Sequence, residues 1–265
     1  YFSQNGIIEK SKFERYSVLL NLNSQLTEKL NLDVRLSPTV TENQRVPANS
    51  PYFATPPGIV YSAIVHSPVV KPYNEDGTIN QLNNQSHLGG GTTTASNPLA
   101  IIEGVDDQIF QFQNRGTLGL TYDILPELSF KTFGGVYINL FNQDFYRANT
   151  LLLRNSTVGN PYGQASSSTE TNWLWENTLS WKKELGDHYV DAVLGYTAQR
   201  DNVRLERVVA NNYPDDLVTT ISGGQVYAGT SVKEQWSLLS SLFRVNYSFK
   251  DKYLFTGTIR SDKSS

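Results

Sequence analysis

The chain has 265 residues and a net charge of −3; 38% of its residues are hydrophobic and 12% aromatic, and it contains neither Cys nor Met. Without cysteine there is no disulfide framework, thiolate metal site or cysteine nucleophile, and without a basic field there is no broad surface for a phosphate backbone, which excludes nucleic acid as a dedicated partner. An apolar fraction so rich in Tyr, Phe and Trp suits strands better than helices, and no run approaches the roughly 18 consecutive apolar residues of a membrane helix, so a membrane role would fall to strands.

The chain opens on Tyr1-Phe2-Ser3-Gln4-Asn5-Gly6 without a basic or apolar leader pattern and reads as an internal segment. Tyr16, Val18, Leu20 and Leu22 alternate with Arg15, Ser17 and Asn21, Leu19 being the exception. After the polar link 24–29, Leu30, Leu32, Val34 and Leu36 alternate strictly with Asn31, Asp33, Arg35 and Ser37. Two period-2 runs around a short link predict a hairpin of strands with unlike faces.

The same layout recurs three times. Leu118, Leu120, Tyr122 and Ile124 lead through Leu125-Pro126-Glu127 to Leu128, Phe130 and a run ending near Ile138, with Gly134-Gly135 marking an expected bulge. Trp173, Trp175, Leu179 and Trp181 lead through 182–188 to Val190, Ala192, Leu194, Tyr196 and Ala198. Leu239, Phe243, Val245 and Tyr247 lead through Lys250-Asp251-Lys252 to Tyr253, Phe255 and Ile259. The pattern predicts eight strands in four hairpins.

Between hairpins lie polar stretches at about 38–111, 140–171 and 199–235, rich in Asn, Gln, Ser, Thr, Gly and Pro. In an up-and-down sheet all short turns then fall at one end and all long loops at the other, the asymmetry of outer-membrane barrels with short periplasmic turns and long extracellular loops. Tyr122, Trp181, Tyr189, Phe249 and Tyr253 beside the turns, with Trp173 and Trp175 at a long-loop end, are expected to form the two aromatic girdles. The expected fold is all-β, an antiparallel transmembrane β-barrel segment. Alternation and aromatics alone also fit a soluble β-sandwich.

On this reading Arg15, Asp33, Arg35, Lys131, Glu176, Asp191, Arg244 and Arg260 face a hydrated lumen, where charge is tolerated. The outward rows include Leu30, Leu32, Val34, Leu36, Val245, Tyr247 and Phe249. His66, His87 and His188 are isolated from any zinc-site spacing and are expected to be solvated. Asn74 to Asn80 has oxygen ligands near Gly77 without the spacing of a calcium loop, and reads as a turn. Gly89-Gly90-Gly91 lacks the Lys-Ser/Thr of a phosphate loop, and Glu103, Asp106 and Asp107 read as a solvated acidic loop. Tyr52, Phe53, Tyr61, Tyr73, Phe145, Tyr146, Tyr162, Tyr213 and Tyr227 are candidates for stacking on sugars, for packing the loops or for meeting a lid. No catalytic, metal or cofactor residues emerge, and the chain is not expected to be an enzyme.

Several stretches resemble the SusC/RagA family of TonB-dependent outer-membrane transporters: Tyr1 to Ile8, Phe13 to Ser17, Leu20 to Ser24, Pro68 to Gly77, Asn97 to Ala100 and, most specifically, Arg244 to Thr256 running into Ile259 to Ser265. Where the family more often has Gly, this chain has Lys263, a change expected to touch only a local turn. The resemblance implies that residues 1–265 are part of a barrel of about 22 strands, with the plug domain and remaining strands absent. It implies a Gram-negative, Bacteroidetes-like outer membrane, a SusD-like surface lipoprotein as lid, energy from TonB-ExbB-ExbD through absent N-terminal parts, and oligosaccharides or peptides as substrate. An autonomous eight-stranded adhesin or structural barrel and a soluble carbohydrate-binding β-domain are the alternatives; a hydrolase would need a facing carboxylate pair that sequence cannot reveal.

Overall fold

The computed structural model describes residues 1–50, 57–66, 68, 70–81, 96–151, 159 and 161–265. They form one antiparallel sheet of eleven strands: β1 (Phe2–Asn5), β2 (Lys12–Ser17), β3 (Leu20–Thr27), β4 (Leu30–Leu36), β5 (Thr39–Arg45), β6 (Val105–Leu125), β7 (Leu128–Arg147), β8 (Tyr162–Leu185), β9 (His188–Asn211), β10 (Gln225–Phe249) and β11 (Tyr253–Ser264). Two short helices, α1 (Ile59–Val65) and α2 (Pro98–Gly104), lie in the connection between β5 and β6. Among the described residues no helix is long and apolar enough to cross a membrane.

The expected hairpins are all present. β4 and β5 are one stave interrupted at Pro38, which has no N–H to give to the ladder. Leu36 lies opposite Gly116 and Thr39 opposite Gln113, so the register with β6 runs through the break unchanged. β2 and β3 are likewise continuous across Val18-Leu19, bridged by Val18 N–H to the Pro38 carbonyl at 3.0 Å. Counted this way the sheet has the eight predicted staves, plus β1 on the outer edge of β2.

The links at one end reduce to Glu28-Lys29, Pro126-Glu127, Gly186-Asp187 and 250–252. Gly186 takes φ +62°, the left-handed conformation favoured in tight two-residue hairpin turns. The first three links are each stitched to the following hairpin. The carbonyls of Lys29, Glu127 and Asp187 accept from the amides of Asp123, Lys182 and Lys250 at 2.8, 2.8 and 2.7 Å.

Several expectations need correction. β7 through β10 are 20 to 25 residues long, about twice the 9–11 residues a tilted strand needs to cross a bilayer. The connections at the opposite end therefore shrink to 46–104, 148–161 and 212–224; much of what reads as loop in 38–111, 140–171 and 199–235 is strand. Gly134 and Gly135 sit in an unbroken ladder opposite Leu118 and Thr117, with no bulge. The register shifts fall instead at Gln25/Thr27, Asp123/Leu125 and Val226/Ala228.

Pairing register divides the side chains into two faces across all strands. One carries Leu30, Leu32, Val34 and Leu36, then Leu118, Leu120 and Tyr122, then Phe130, Val136, Ile138 and Leu140. It continues through Trp173, Trp175, Leu179 and Trp181, Leu194 and Tyr196, and Phe243, Val245 and Tyr247, to Phe255 and Ile259. Many of these side chains are exposed, Trp175 at 49% and Phe243 at 46% among them. All eight predicted lumen residues, from Arg15 to Arg260, lie on the other face.

The apolar band spans only the turn-proximal half of each long strand. Above Leu140, Trp173, Ala198 and Leu239 the same face turns to Asn142 and Asp144, Thr169 and Thr171, Arg200 to Glu206, and Lys233 and Gln235. Trp173 and Trp175 hence mark the upper limit of the band in mid-strand, about eleven residues from the strand's loop end, instead of sitting beside a loop. The lower girdle is Tyr122, Phe130, Trp181, Phe249 and Tyr253; Tyr189 pairs with Ser248 on the polar face and drops out of it. Within the band the Trp175 indole N–H donates to Thr132 Oγ1 at 3.0 Å, so its polar atom is satisfied without water.

Candidate functional site

The buried core lies almost wholly at the loop end. Ile59 from α1, Ala100, Ile101 and Ile102 from α2, Val105 and Leu151 form one cluster, against which Val46, Ile79, Leu99 and Phe145 pack. The fully buried Asn97 caps α2 by accepting from Leu99 N–H at 3.0 Å, and Pro98 follows at the first helical position. Its amide also donates to the carbonyls of Pro72 and Asn80, both at 2.9 Å, pinning the 71–80 segment to the cap. That segment holds the predicted turn, with Gly77 at φ +82° and Asp76 accepting from Thr78 N–H at 3.0 Å.

A second cluster joins the other two connections. Tyr146 and Tyr213 meet edge to face at 5.1 Å among Ala148 and Ala210. Asp216 accepts from Tyr146 Oη at 2.7 Å, from Asn149 N–H at 2.6 Å and from Thr150 N–H at 3.3 Å. Burial works against the Asp216 charge, but these donors, led by the Asn149 amide, outweigh it and hold the carboxyl below its ordinary range. Burial pushes the Tyr146 phenol up, with the Asp216 charge adding to the effect. Tyr213 lies so close to Gly163 that a Cβ there would stand 2.0 Å from its hydroxyl oxygen.

Beneath the first cluster, on the polar face, opens a cleft of about 660 Å³. Its floor is a row running across four strands, Arg45, Asp107, Phe145 and Gln164; Arg147 and Tyr162 form the row above, and Val46, Pro47 and Ser50 close one side. Asp107 is held by Arg45 Nε at 3.0 Å and Arg45 NH2 at 2.8 Å, and by the Gln143 amide at 2.7 Å. Arg147, 5% exposed, lies over the Tyr162 ring at 5.4 Å. Burial holds its guanidinium below the ordinary arginine range. From β9, Arg207 reaches Gln164 Oε1 at 2.6 Å and Tyr162 Oη at 3.0 Å. The result is an aromatic floor flanked by two arginines beyond the Arg45–Asp107 pair, with amides that can both donate and accept, an arrangement suited to planar acid groups and amides.

The structure redistributes the residues singled out from sequence. Phe145, Tyr146, Tyr162 and Tyr227 are in strands; of these Phe145 and Tyr162 line the cleft, while Tyr146, at the end of β7, packs on Tyr213 of the 212–224 connection. Tyr61 is in α1, Tyr73 borders the 74–80 turn through its bridge to Ile79, and Tyr52, Phe53, His87 and Gly89 to Gly91 lie outside the described residues. Glu103, Asp106 and Asp107 do not form a solvated acidic loop. Glu103 pairs with Lys10 at 2.7 Å, and Asp106 and Asp107 take opposite faces of β6. His66 is not solvated either: its ring nitrogens are sequestered, with no partner among the described residues. His188 packs on Phe249 with Nδ1 2.6 Å from Tyr247 Oη. Among the described residues no group of three His, Asp or Glu is placed to hold a metal.

No family model matches the chain. Two TonB-dependent receptors of Formosa agariphila, P3 and P26, are each 26% identical to it, over 271 and 275 residues that include the whole chain. The chain spans about a quarter of their length, 26% of each. Among solved structures the RagAB peptide transporter superposes on all of it with a TM-score of 0.76 at 17% identity, over 29% of that chain. The ferric-catecholate import receptor Fiu of E. coli follows with a TM-score of 0.50 over 97% of this chain.

An open antiparallel sheet with one banded apolar face, superposing on such a barrel from end to end, has the fold of a segment of a TonB-dependent receptor barrel, and its sequence is similar to such receptors along its whole length. Within that class it is SusC/RagA-like, as the stretch from Arg244 to Ser265 already implied.

Proposed function

We propose that these strands form part of the wall of an outer-membrane transporter driven through TonB, with the apolar band in lipid, the polar face toward the lumen and the loop end outside the cell. The observation that carries this reading is the exposed apolar band along the turn-proximal part of one face, from Leu118 and Phe130 across Trp175 and Leu194 to Phe243 and Ile259, while the buried core gathers at the opposite end. In this role the segment performs no covalent chemistry. The cleft beneath α2 is a contact for substrate entering from outside, beside a SusD-like lipoprotein lid. RagAB, one of the similar structures, is a peptide importer, and the guanidinium and amide groups here suit peptide carboxylates and carbonyls, so we place peptides ahead of oligosaccharides.

The test is uptake and binding by the full-length protein in cells. Uptake should collapse on dissipation of the proton-motive force. Arg147→Met and Arg207→Met should each weaken peptide binding by about tenfold, in the range lost with one charge-assisted contact. Lys131→Gln, on the same face near the turns, should leave binding unchanged. Equal effects at all three positions would remove the cleft from the substrate path, and energy-independent uptake would remove the transporter reading.

A further inference from the structure

Above the apolar band, the lipid-side face of the strands divides by charge. On β2, β5, β6 and β7 it carries Glu14, Glu42, Asp106 and Asp144 against Lys12. On β9, β10 and β11 it carries Arg200, Arg204, Lys233 and Lys263 against Glu206 alone. All four cations are exposed. They start one row above Ala198, level with Trp173, with Lys263 facing Leu239. Contrary to the sequence reading, Lys263 is in no turn: it is a strand residue on this face.

Arg204 and Lys233 lie directly opposite each other in the ladder. Like charges so paired are destabilising unless an anion sits between them, and Glu206 pairs with Arg204 at 2.6 Å and accepts from Ser231 Oγ at 3.5 Å, with no ion pair to Lys233 among the described residues. Arg200 donates to the neutral Gln235 Oε1 at 2.6 Å and makes no ion pair among the described residues.

We infer that Arg200, Arg204, Lys233 and Lys263 form a docking patch for the phosphate of a phosphorylated outer-leaflet lipid, whose acyl chains would lie against Trp173, Tyr196 and Leu239 just below. Three observations select this occupant. The charge is complementary, the guanidiniums offer forked donors suited to phosphate oxygens, and the patch begins in the row where the lipid-side surface stops being apolar. The inference rests on the membrane orientation proposed above and is independent of the transported substrate.

The probe is diphosphorylated lipid A in mixed micelles with the full-length protein, its retention followed by native mass spectrometry. The triple variant Arg204→Gln, Lys233→Gln, Lys263→Gln should lose at least about tenfold in affinity, since each basic residue near an anionic lipid surface contributes. Lys263→Gln alone should lose a few-fold, and it removes no ladder bond. The variant Glu14→Gln, Glu42→Gln, Asp144→Asn should lose nothing.

Equal retention of dephosphorylated lipid A, or displacement by inorganic phosphate at matched concentration, would overturn the proposal in favour of plain apolar or plain anion binding. Unchanged affinity in both the triple and the single variant would also overturn it. Insertion into vesicles, read by the heat-dependent mobility of the folded barrel, separates the two claims. Inserted protein with variant-independent lipid retention sinks the patch alone, and failure to insert sinks the membrane orientation with it.

Discussion

The lower and upper halves of the same strands obey different solvents. Near the short turns, one face is apolar and exposed, and in the proposed orientation lipid serves as its core. Near the loops, both faces of the strands are largely polar, and apolar groups are buried where α1, α2 and the chain beyond β7 and β9 cover the strand ends. One ladder of hydrogen bonds runs through both halves. Stability in the lower half thus depends on the surrounding medium, and in the upper half on side-chain packing.

The largest expected effect sets the halves against each other on β7. Val136→Arg, in the band, should destabilise vesicle-inserted protein by about 2–4 kcal/mol, while Asn142→Arg, six residues higher on the same face, should cost under about 0.5 kcal/mol. Urea unfolding of the two variants checks this, and similar losses would erase the boundary. Ile101→Ala, in the fully buried part of α2, should cost about 2–5 kcal/mol locally. Amide exchange should then accelerate in α2 while the turn-proximal strands keep their protection.

The Asp216 latch is a smaller effect with a defined pH signature. Because its folded pKa is depressed, its contribution is complete above the ordinary carboxylate range and fades as pH falls through the folded value. Protection of the Asn149 and Thr150 amides should drop below about pH 4. Asp216→Asn should remove about 1–2 kcal/mol of that protection at neutral pH and abolish the pH step. A step that persists in the variant would assign it to another group. Smallest is Lys250→Gly: Lys250 sits at φ +53° and its pairing with Asp187 is exposed at 3.5 Å, so glycine should gain up to about 1 kcal/mol in the same unfolding assay.

The division into halves also explains what could be read from sequence. In the band the apolar face is continuous and alternation is clear, strictly so from Leu30 to Leu36 and with Val193 as the exception from Val190 to Ala198, and the hairpins and their turns are legible. Above the band both faces meet water or loops, the period-2 signal disappears, and Gln199–Asn211 reads as a polar loop although it is strand. Phe110 and Phe112 were a usable signal there, masked by the neighbouring Ile109. The cleft was half legible: Phe145 and Tyr162 stand out as aromatics, but Arg45 and Asp107 are 62 residues apart, and Arg147, Gln143, Gln164 and Arg207 converge only through a register that no local pattern encodes.

The repeated stitch at the turns has a consequence for how such a wall can be extended. The carbonyls of Lys29, Glu127 and Asp187 each meet an amide at or near the turn end of the following hairpin, so these hairpins are tied to their neighbours by a turn contact as well as by the ladder. The hairpin, closed by its own short turn, is the repeating unit of the wall, so such a wall grows or shrinks by whole pairs of strands.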